Sequence, residues 1–302
     1  MKPIKTLDQM VRHLIDSGIR KRIAVAVAED DNTIGAIVES MKQGFAHPVL
    51  IGDREKIEMA LKDIDADPAA FEIIHITDPQ EAGLEAVRMV RNNEADVLMK
   101  GLIGTDKFLR AVLDKEKGLL PPGAVMSYVC ALELPQYDKL LFVSDTAVLP
   151  YPDLKQKIAM VNYTIGMIAK FGIENPKIAL IGASEKSSDA FHYSKDYMEI
   201  RKMAGEGQVP SCTLDGPLDV FLACDKESVK IKGIPTPING EADALIFPSL
   251  EAANSFYKGL MLFGGGELAG LIQGTIKPVV VMSRSESRRS KFYCIALSCL
   301  MA

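Results

Sequence analysis

No apolar run in the 302-residue chain approaches the roughly 20 residues that a membrane helix requires. The opening MKPIKTLDQM has no apolar stretch behind its lysines, so no secretion signal is read and a cytoplasmic protein is expected. Cysteine is scarce: Cys130, Cys212, Cys224, Cys294 and Cys299 are odd in number and lack CxxC spacing. That excludes a disulfide framework and a local zinc motif, and leaves thiols that pack as small hydrophobes beside apolar neighbours. His13, His47, His75 and His192 form no HxxxH pair, so no metal site has a local signature. Charge of one sign is also missing: 35 Lys+Arg against 40 Asp+Glu give −5, scattered along the chain. No basic stripe exists to follow a nucleic-acid backbone. GxGxxG, GxxxxGK[ST] and GxSxG are all absent, which removes the usual dinucleotide, P-loop and serine-hydrolase signatures.

The composition is that of a folded globular protein, with 48% hydrophobic, 25% charged and 6% aromatic residues, enough for one large or two ordinary domains. Short β-branched runs (RIAVAVA, HPVLIG, FEIIHIT, ADVLMKG) alternate with helical stretches (TIGAIVESMKQG, REKIEMALKD, PQEAGLEAVRMVRNN, TDKFLRAVLD). This alternation predicts βαβ crossovers and a mainly parallel sheet with helices on both faces. After VMSYVCALEL and KLLFVSDTAVL, the two prolines of LPYPDL suggest a domain boundary. A long helix follows with Leu154, Ile158, Val161, Ile165 and Ile168 on one face. The pattern then resumes with KIALIGA, DYMEIRKMAGEG, ADALIFPS, EAANSFYKGLMLF, ELAGLIQG and KPVVVM, so the second half reads as another α/β domain. The expected division is residues 1–145 with 277–302, and residues 146–276, the terminal helix returning to the first domain and the site lying between the two.

Ligands in open α/β sheets gather at the carboxyl ends of strands, where helix N-termini offer free N–H groups. Ser283, Arg284, Ser285, Glu286, Ser287, Arg288 and Arg289 fill such a position after KPVVVM, either as an anion site or as a serine helix cap with solvated arginines. A second strand end supplies Lys100, Gly101, Gly104, Thr105 and Arg110. These residues either cradle a phosphate or are a surface lysine and a helix arginine. Ser144, Asp145 and Thr146, and the stretch Ser184 to Ser188, read most simply as caps, and Gly264, Gly265 and Gly266 as a helix end.

The segments EADVLMKGLIGTDKFLRAVL, VSDTAVLPYPDLKQKIAMV, FGIENPKIALIGASEKSSD, TLDGPLDVFLACDKESVKIKGI, ADALIFPSLEAANSFYKGL and KPVVVMSRSESRRSKFYCIALS together resemble the phosphate acetyl/butyryl transferase family. The butyryl branch is resembled most closely. The resemblance implies a fold like isocitrate and isopropylmalate dehydrogenases, and a homodimer or larger homo-oligomer. It implies the reaction acyl-CoA + phosphate ⇌ acyl phosphate + CoA, with no cofactor beyond coenzyme A as substrate. The family's Ser-Arg pair matches Ser283 and Arg284, and its threonine and arginine after the strand match Thr105 and Arg110. The acetyl branch has an aspartate six residues beyond the arginine, where this chain has Ser290; the butyryl branch has an acidic residue two beyond it, here Glu286. Ala253 stands where the family commonly has glycine before Asn254.

On this reading Arg284 stabilises the oxyanion, Glu286 exchanges a proton with the CoA thiol, and Lys100, Gly101, Thr105, Arg110 and Asn254 hold substrate. Three alternatives stand beside it: an acetyl rather than butyryl specificity, a decarboxylating dehydrogenase, and a regulatory protein that senses acyl-CoA without turnover. The dehydrogenase needs a cluster of metal-binding aspartates that the sequence does not display.

Overall fold

The computed structural model describes residues 2–282 and 286–302. The chain divides into two compact units. The N-terminal unit, Leu7–Met126 with Leu268–Ala302, begins with α1 (Leu7–Asp16), β1 (Lys21–Ala26), α2 (Asp31–Lys42), β2 (Ala46–Gly52), α3 (Arg54–Lys62), β3 (Glu72–His75), α4 (Pro79–Arg91), β4 (Val97–Lys100) and α5 (Thr105–Val112). Its crossovers start where the sequence supplies caps. The Asp78 side chain accepts from the Gln80 and Glu81 N–H groups, and Pro79 occupies the first helical position, where a missing N–H costs nothing.

The central unit, Ser127–Glu267 with the N-terminal residues up to Thr6, holds β5 (Ser127–Glu133), β6 (Leu141–Ser144), α6 (Leu154–Lys170), β7 (Lys177–Ile181), α7 (Ser194–Gly205), β8 (Thr213–Leu218), α8 (Val220–Cys224), α9 (Lys226–Lys232), β9 (Ala244–Ile246) and α10 (Leu250–Gly264). Its strands run in the order β5-β6-β9-β7-β8, antiparallel at β5–β6 and parallel elsewhere. Gly265, at φ 63, ends α10 in the left-handed geometry expected of the glycine run. The chain then returns to the N-terminal unit with β10 (Glu267–Gln273), β11 (Val279–Val280) and α11 (Arg288–Met301). There the order is β3-β2-β1-β4-β11-β10, parallel except for β10–β11. Both units are thus α/β with mostly parallel strands.

Two expectations are corrected. The division falls at 126/127 and 267/268 rather than at 145/146 and 276/277. The reason is pairing: β5 joins β6 and β6 joins β9, so both strands belong to the central unit. The prolines of LPYPDL are not a linker, since the Pro150 carbonyl accepts the Leu250 N–H at 2.9 Å and Asp153 with Gln156 forms the capping box of α6. In α6 the buried residues are Lys157, Met160, Val161, Thr164, Ile165, Met167 and Ile168, with Leu154 and Ile158 only half-buried. Four elements carried no element prediction, α1, β8, α8 and α9; β8 contains Gly216 and Pro217, which weaken a strand pattern.

α11 is what anchors the core of the N-terminal unit. Every residue from Ser290 to Leu300 is buried, and Phe292 meets Phe45 edge-on with ring centroids 5.6 Å apart. Each large apolar side chain so buried contributes about 1.5–3 kcal/mol.

Candidate active site

In the N-terminal unit β1 and β4 lie side by side and in register, Ala26 beside Lys100, so their carboxyl ends stop together. Just beyond β1, Val27 adopts φ 58. A β-branched residue is strained there, because its side chain crowds the backbone. The strain sets the direction of a carbonyl: Val27 O accepts the Leu102 N–H at 2.7 Å, while Ala26 O accepts the Gly101 N–H at 2.9 Å. Position 101 must be glycine, since a Cβ there would sit 2.2 Å from Val27 O. The close approach that Gly101 permits is therefore to β1, not only to a ligand.

This tight junction borders a cavity of about 190 Å³ lined by Asp30, Asn32, Thr33, Lys100, Gly101 and Lys291, among others. Lys100 is 6% exposed and Lys291 4% exposed. Asp30 is the N-cap of α2, its Oδ1 accepting the Thr33 N–H at 2.9 Å. The Lys291 ammonium stands 3.7 Å from that same oxygen, and Lys100 Nζ donates to the Gly101 carbonyl at 3.2 Å. Among the described lining residues two ammonium groups and one carboxylate leave a positive surplus, and the N-terminus of α2 adds partial positive charge. The chemistry of these walls is that of an anion site.

Of the residues expected from sequence, Lys100 and Gly101 line this cavity, while Thr105 and Arg110 are exposed on α5 outside its lining. Gly104 precedes α5 without a side-chain cap. Ser283 and Arg284 lie outside the described residues. Glu286 is half-buried, and Ser287 caps α11 by accepting the Ser290 N–H at 2.9 Å, so capping accounts for that one serine. Asn254, on α10 in the central unit, donates from Nδ2 to the Thr146 carbonyl at 2.9 Å. Asp30, Thr33 and Lys291 were not expected from sequence. The available signal was the DDNT cap following β1, which places Asp30 and Thr33 at a strand end.

The central unit has its own strand end, after β6. Asp145 is 2% exposed. Its Oδ2 accepts from Ser127 Oγ and the Tyr128 N–H, both at 2.9 Å, and its Oδ1 from the Ala147 and Val148 N–H groups at 2.8 and 2.7 Å. Burial pushes the Asp145 pKa up, against the opposing pull of these donors. The serines of the 184–188 stretch act locally, Ser184 Oγ accepting the Lys186 N–H and Ser188 Oγ the Ala190 N–H. The thiols of Cys224 and Cys299 are pushed up to about 12, chiefly by burial. Among the described residues no group of three acidic, histidine or cysteine side chains converges as a metal site, and no helix is long and apolar enough to cross a membrane.

Comparison with known proteins relates these features to one lineage. The chain is 38% identical to the phosphate butyryltransferase of Clostridium beijerinckii over 99% of its own length and 98% of the relative's. It is 36% identical to the phosphate acetyltransferase of Thermotoga maritima, over 94% and 96%. The crystal structure of a branched-chain phosphotransacylase from Enterococcus faecalis superposes with a TM-score of 0.81 at 28% identity, covering 93% of this chain and 98% of that one. The family model for phosphate acetyl/butaryl transferase matches residues 79–299, which takes in β4, Lys100, Asn254 and all but the last two residues of α11. The chain belongs to the phosphate acetyl/butaryl transferase family.

Proposed function

We propose that this protein is an enzyme that transfers a butyryl or similar short acyl group between coenzyme A and inorganic phosphate. The observation that carries the reading is the small, positively lined cavity at the end of β4 in a chain of this family. Full-length similarity to a phosphate butyryltransferase favours butyryl over acetyl, the second reading, which rests on the similarity to an acetyltransferase. The finer fold assignment, to the isocitrate and isopropylmalate dehydrogenase type, belongs with this proposal, as does a cytoplasmic location.

In the direction of acyl phosphate synthesis, a phosphate oxygen attacks the thioester carbonyl carbon. The C–O bond forms, the carbonyl oxygen gains negative charge, and collapse of the tetrahedral adduct breaks the C–S bond and releases CoA thiolate. Glu286 takes the proton that the attacking hydrogen phosphate loses and delivers it to that thiolate, and in the reverse direction carries the proton from the thiol back to the departing phosphate. Arg284 stabilises the oxyanion, with Ser283 beside it contacting CoA. Lys100 holds the phosphate. Gly101 keeps the backbone low at its side, and Thr105, Arg110 and Asn254 contribute substrate contacts. The scheme uses acid–base and electrostatic catalysis only and calls for no redox cofactor or metal. Butyryl-CoA plus phosphate should release free thiol without added metal or nicotinamide. Absence of release with butyryl-, isobutyryl- and acetyl-CoA alike would overturn the reading in favour of an acyl-CoA sensor.

A homo-oligomer is part of the proposal. α10 is strongly apolar, yet only Ala253 on it is buried; Leu262 and Phe263 are 76% and 87% exposed. With Glu251 and Lys258 as its sole charges, the helix offers a nearly neutral face that suits a second copy of itself. Replacing Leu262 and Phe263 by glutamate should lower the sedimentation mass; an unchanged mass would place the contact elsewhere.

A further inference from the structure

We infer that Lys291, with the Thr33 hydroxyl and the N-terminal turn of α2, forms the second half of the oxyanion pocket begun by Lys100, and that this pocket takes the phosphate rather than coenzyme A. The inference rests on the acyl-transfer reading for the identity of the anion. Its own support is local to the N-terminal unit. Lys291 is 4% exposed and sits in the first turn of α11. A buried ammonium is expensive to desolvate. It is also on the wrong end of its helix, because the N-terminal turn already carries partial positive charge. Helix stability therefore does not explain it.

Pairing within the chain does not fully explain it either. At 3.7 Å from Asp30 Oδ1 the ammonium is in ion-pair range but beyond a hydrogen bond, and that oxygen already accepts the Thr33 N–H. Among the described residues the Lys291 ammonium has no hydrogen-bonded partner. Buried lysines at positions 100 and 291 both border the cavity, with Thr33, 3% exposed, completing the polar wall. A tetrahedral oxyanion meets all of these groups: two point charges, a hydroxyl and the N-terminal turn of a twelve-residue helix. Size selects the ligand. At about 190 Å³ the cavity falls below the roughly 300–1,000 Å³ of pockets that enclose drug-sized molecules. It suits a phosphoryl group and excludes the bulk of a coenzyme A.

The test uses the full chain in two assays, thiol release with butyryl-CoA and calorimetric binding of inorganic phosphate. Lys291→Met should raise the phosphate KM about 10- to 100-fold, the effect of losing a charge-assisted hydrogen bond. The butyryl-CoA KM should change less than about twofold. Thr33→Val, nearly isosteric, should raise the phosphate KM by a smaller factor, on the order of threefold to tenfold. Asp30→Asn keeps a good N-cap while removing the competing charge, so phosphate should bind as well or better. A purely structural ion pair predicts instead that Lys291→Met and Asp30→Asn lower the melting temperature alike and leave the phosphate KM untouched, which would overturn the inference. If Lys291→Met fails to fold, Thr33→Val and Asp30→Asn decide by the same criteria. Wild-type protein that binds phosphate through Lys291 but turns over no acyl-CoA would sink the acyl-transfer reading and leave the pocket standing. Wild-type turnover with unaltered phosphate KM in the variants would sink the pocket and leave the reading standing.

Discussion

Two strand ends in this molecule bury a charge, and they bury it in opposite ways. After β6, the Asp145 carboxylate is surrounded by four donors, three of them backbone N–H groups that can only donate. After β4, Lys100 and Lys291 border an open cavity where, among the described lining residues, they outnumber the one carboxylate, Asp30. The difference is saturation. A charge whose bonding capacity is filled from its own chain orders the loop around it and has little left for a ligand. A charge that faces a polar cavity without a hydrogen-bonded partner among the described residues, as the Lys291 ammonium does, retains the capacity to bind one. Burial alone does not separate the cases, since all three side chains are at least nine-tenths buried.

If that distinction is right, removing the two kinds of charge should damage different properties. Asp145→Ala leaves several buried donors unpaired and should destabilise the protein by about 3–5 kcal/mol, read from the urea unfolding midpoint. Lys100→Met replaces a buried cation by an apolar chain of similar length, so stability should stay within about 1 kcal/mol of the parent. Its kcat/KM for phosphate should fall on the order of 10². A stable Asp145→Ala protein with lost turnover would reverse the assignment of roles.

How far the sequence discloses this contrast depends on what each element's burial rests on. The strand–helix alternation predicts both α/β units because apolar runs and Asp or Ser caps are local signals, as at Asp78 and Asp153. The boundary near residue 145 misleads because it reads two prolines as a break, whereas strand pairing, which no local pattern encodes, draws β5 and β6 into the central unit. α10 and α11 show the same limit from the other side. α10 is the more apolar helix and is mostly uncovered, while α11 carries two arginines, a lysine and two serines and is buried from Ser290 to Leu300. Lys100 and Gly101 are legible as a strand-end pair. Lys291 is not, because its partners Asp30 and Thr33 lie more than 250 residues earlier in the chain. Val27 is invisible for a different reason: nothing in a β-branched residue announces a left-handed backbone.

The cysteines extend the contrast to a group that can escape its charge. Burial of a thiol with few donors favours the neutral form, and Cys224 and Cys299 are both pushed up to about 12. A raised thiol pKa means the reactive thiolate is scarce below that pH, on the order of 10⁻⁴ of the thiol at pH 8. Iodoacetamide at pH 8 should therefore leave these two residues unmodified in the native protein and alkylate them promptly after unfolding, as followed by peptide mass spectrometry. Rapid native labelling of either would mean that its surroundings supply the donors that the contrast denies it.

The smallest effect tests a residue that stands between the two categories. Asn254 has a proposed substrate contact, and its Nδ2 also donates to the Thr146 carbonyl, one residue beyond Asp145. If that bond ties α10 to the saturated Asp145 loop, Asn254→Ala should lose about 1 kcal/mol of stability, the net value of one neutral hydrogen bond. Phosphate binding should be unchanged. Asn254→Asp is the sharper probe, because it keeps the size of the side chain but sets an oxygen against a carbonyl oxygen. It should destabilise more than alanine at neutral pH, and the excess should shrink as acidification protonates the new carboxyl and restores a donor. A loss of turnover in Asn254→Ala without any shift in the unfolding midpoint would leave substrate contact as the sole role of Asn254 and show that a half-buried amide with one satisfied donor still has capacity to bind.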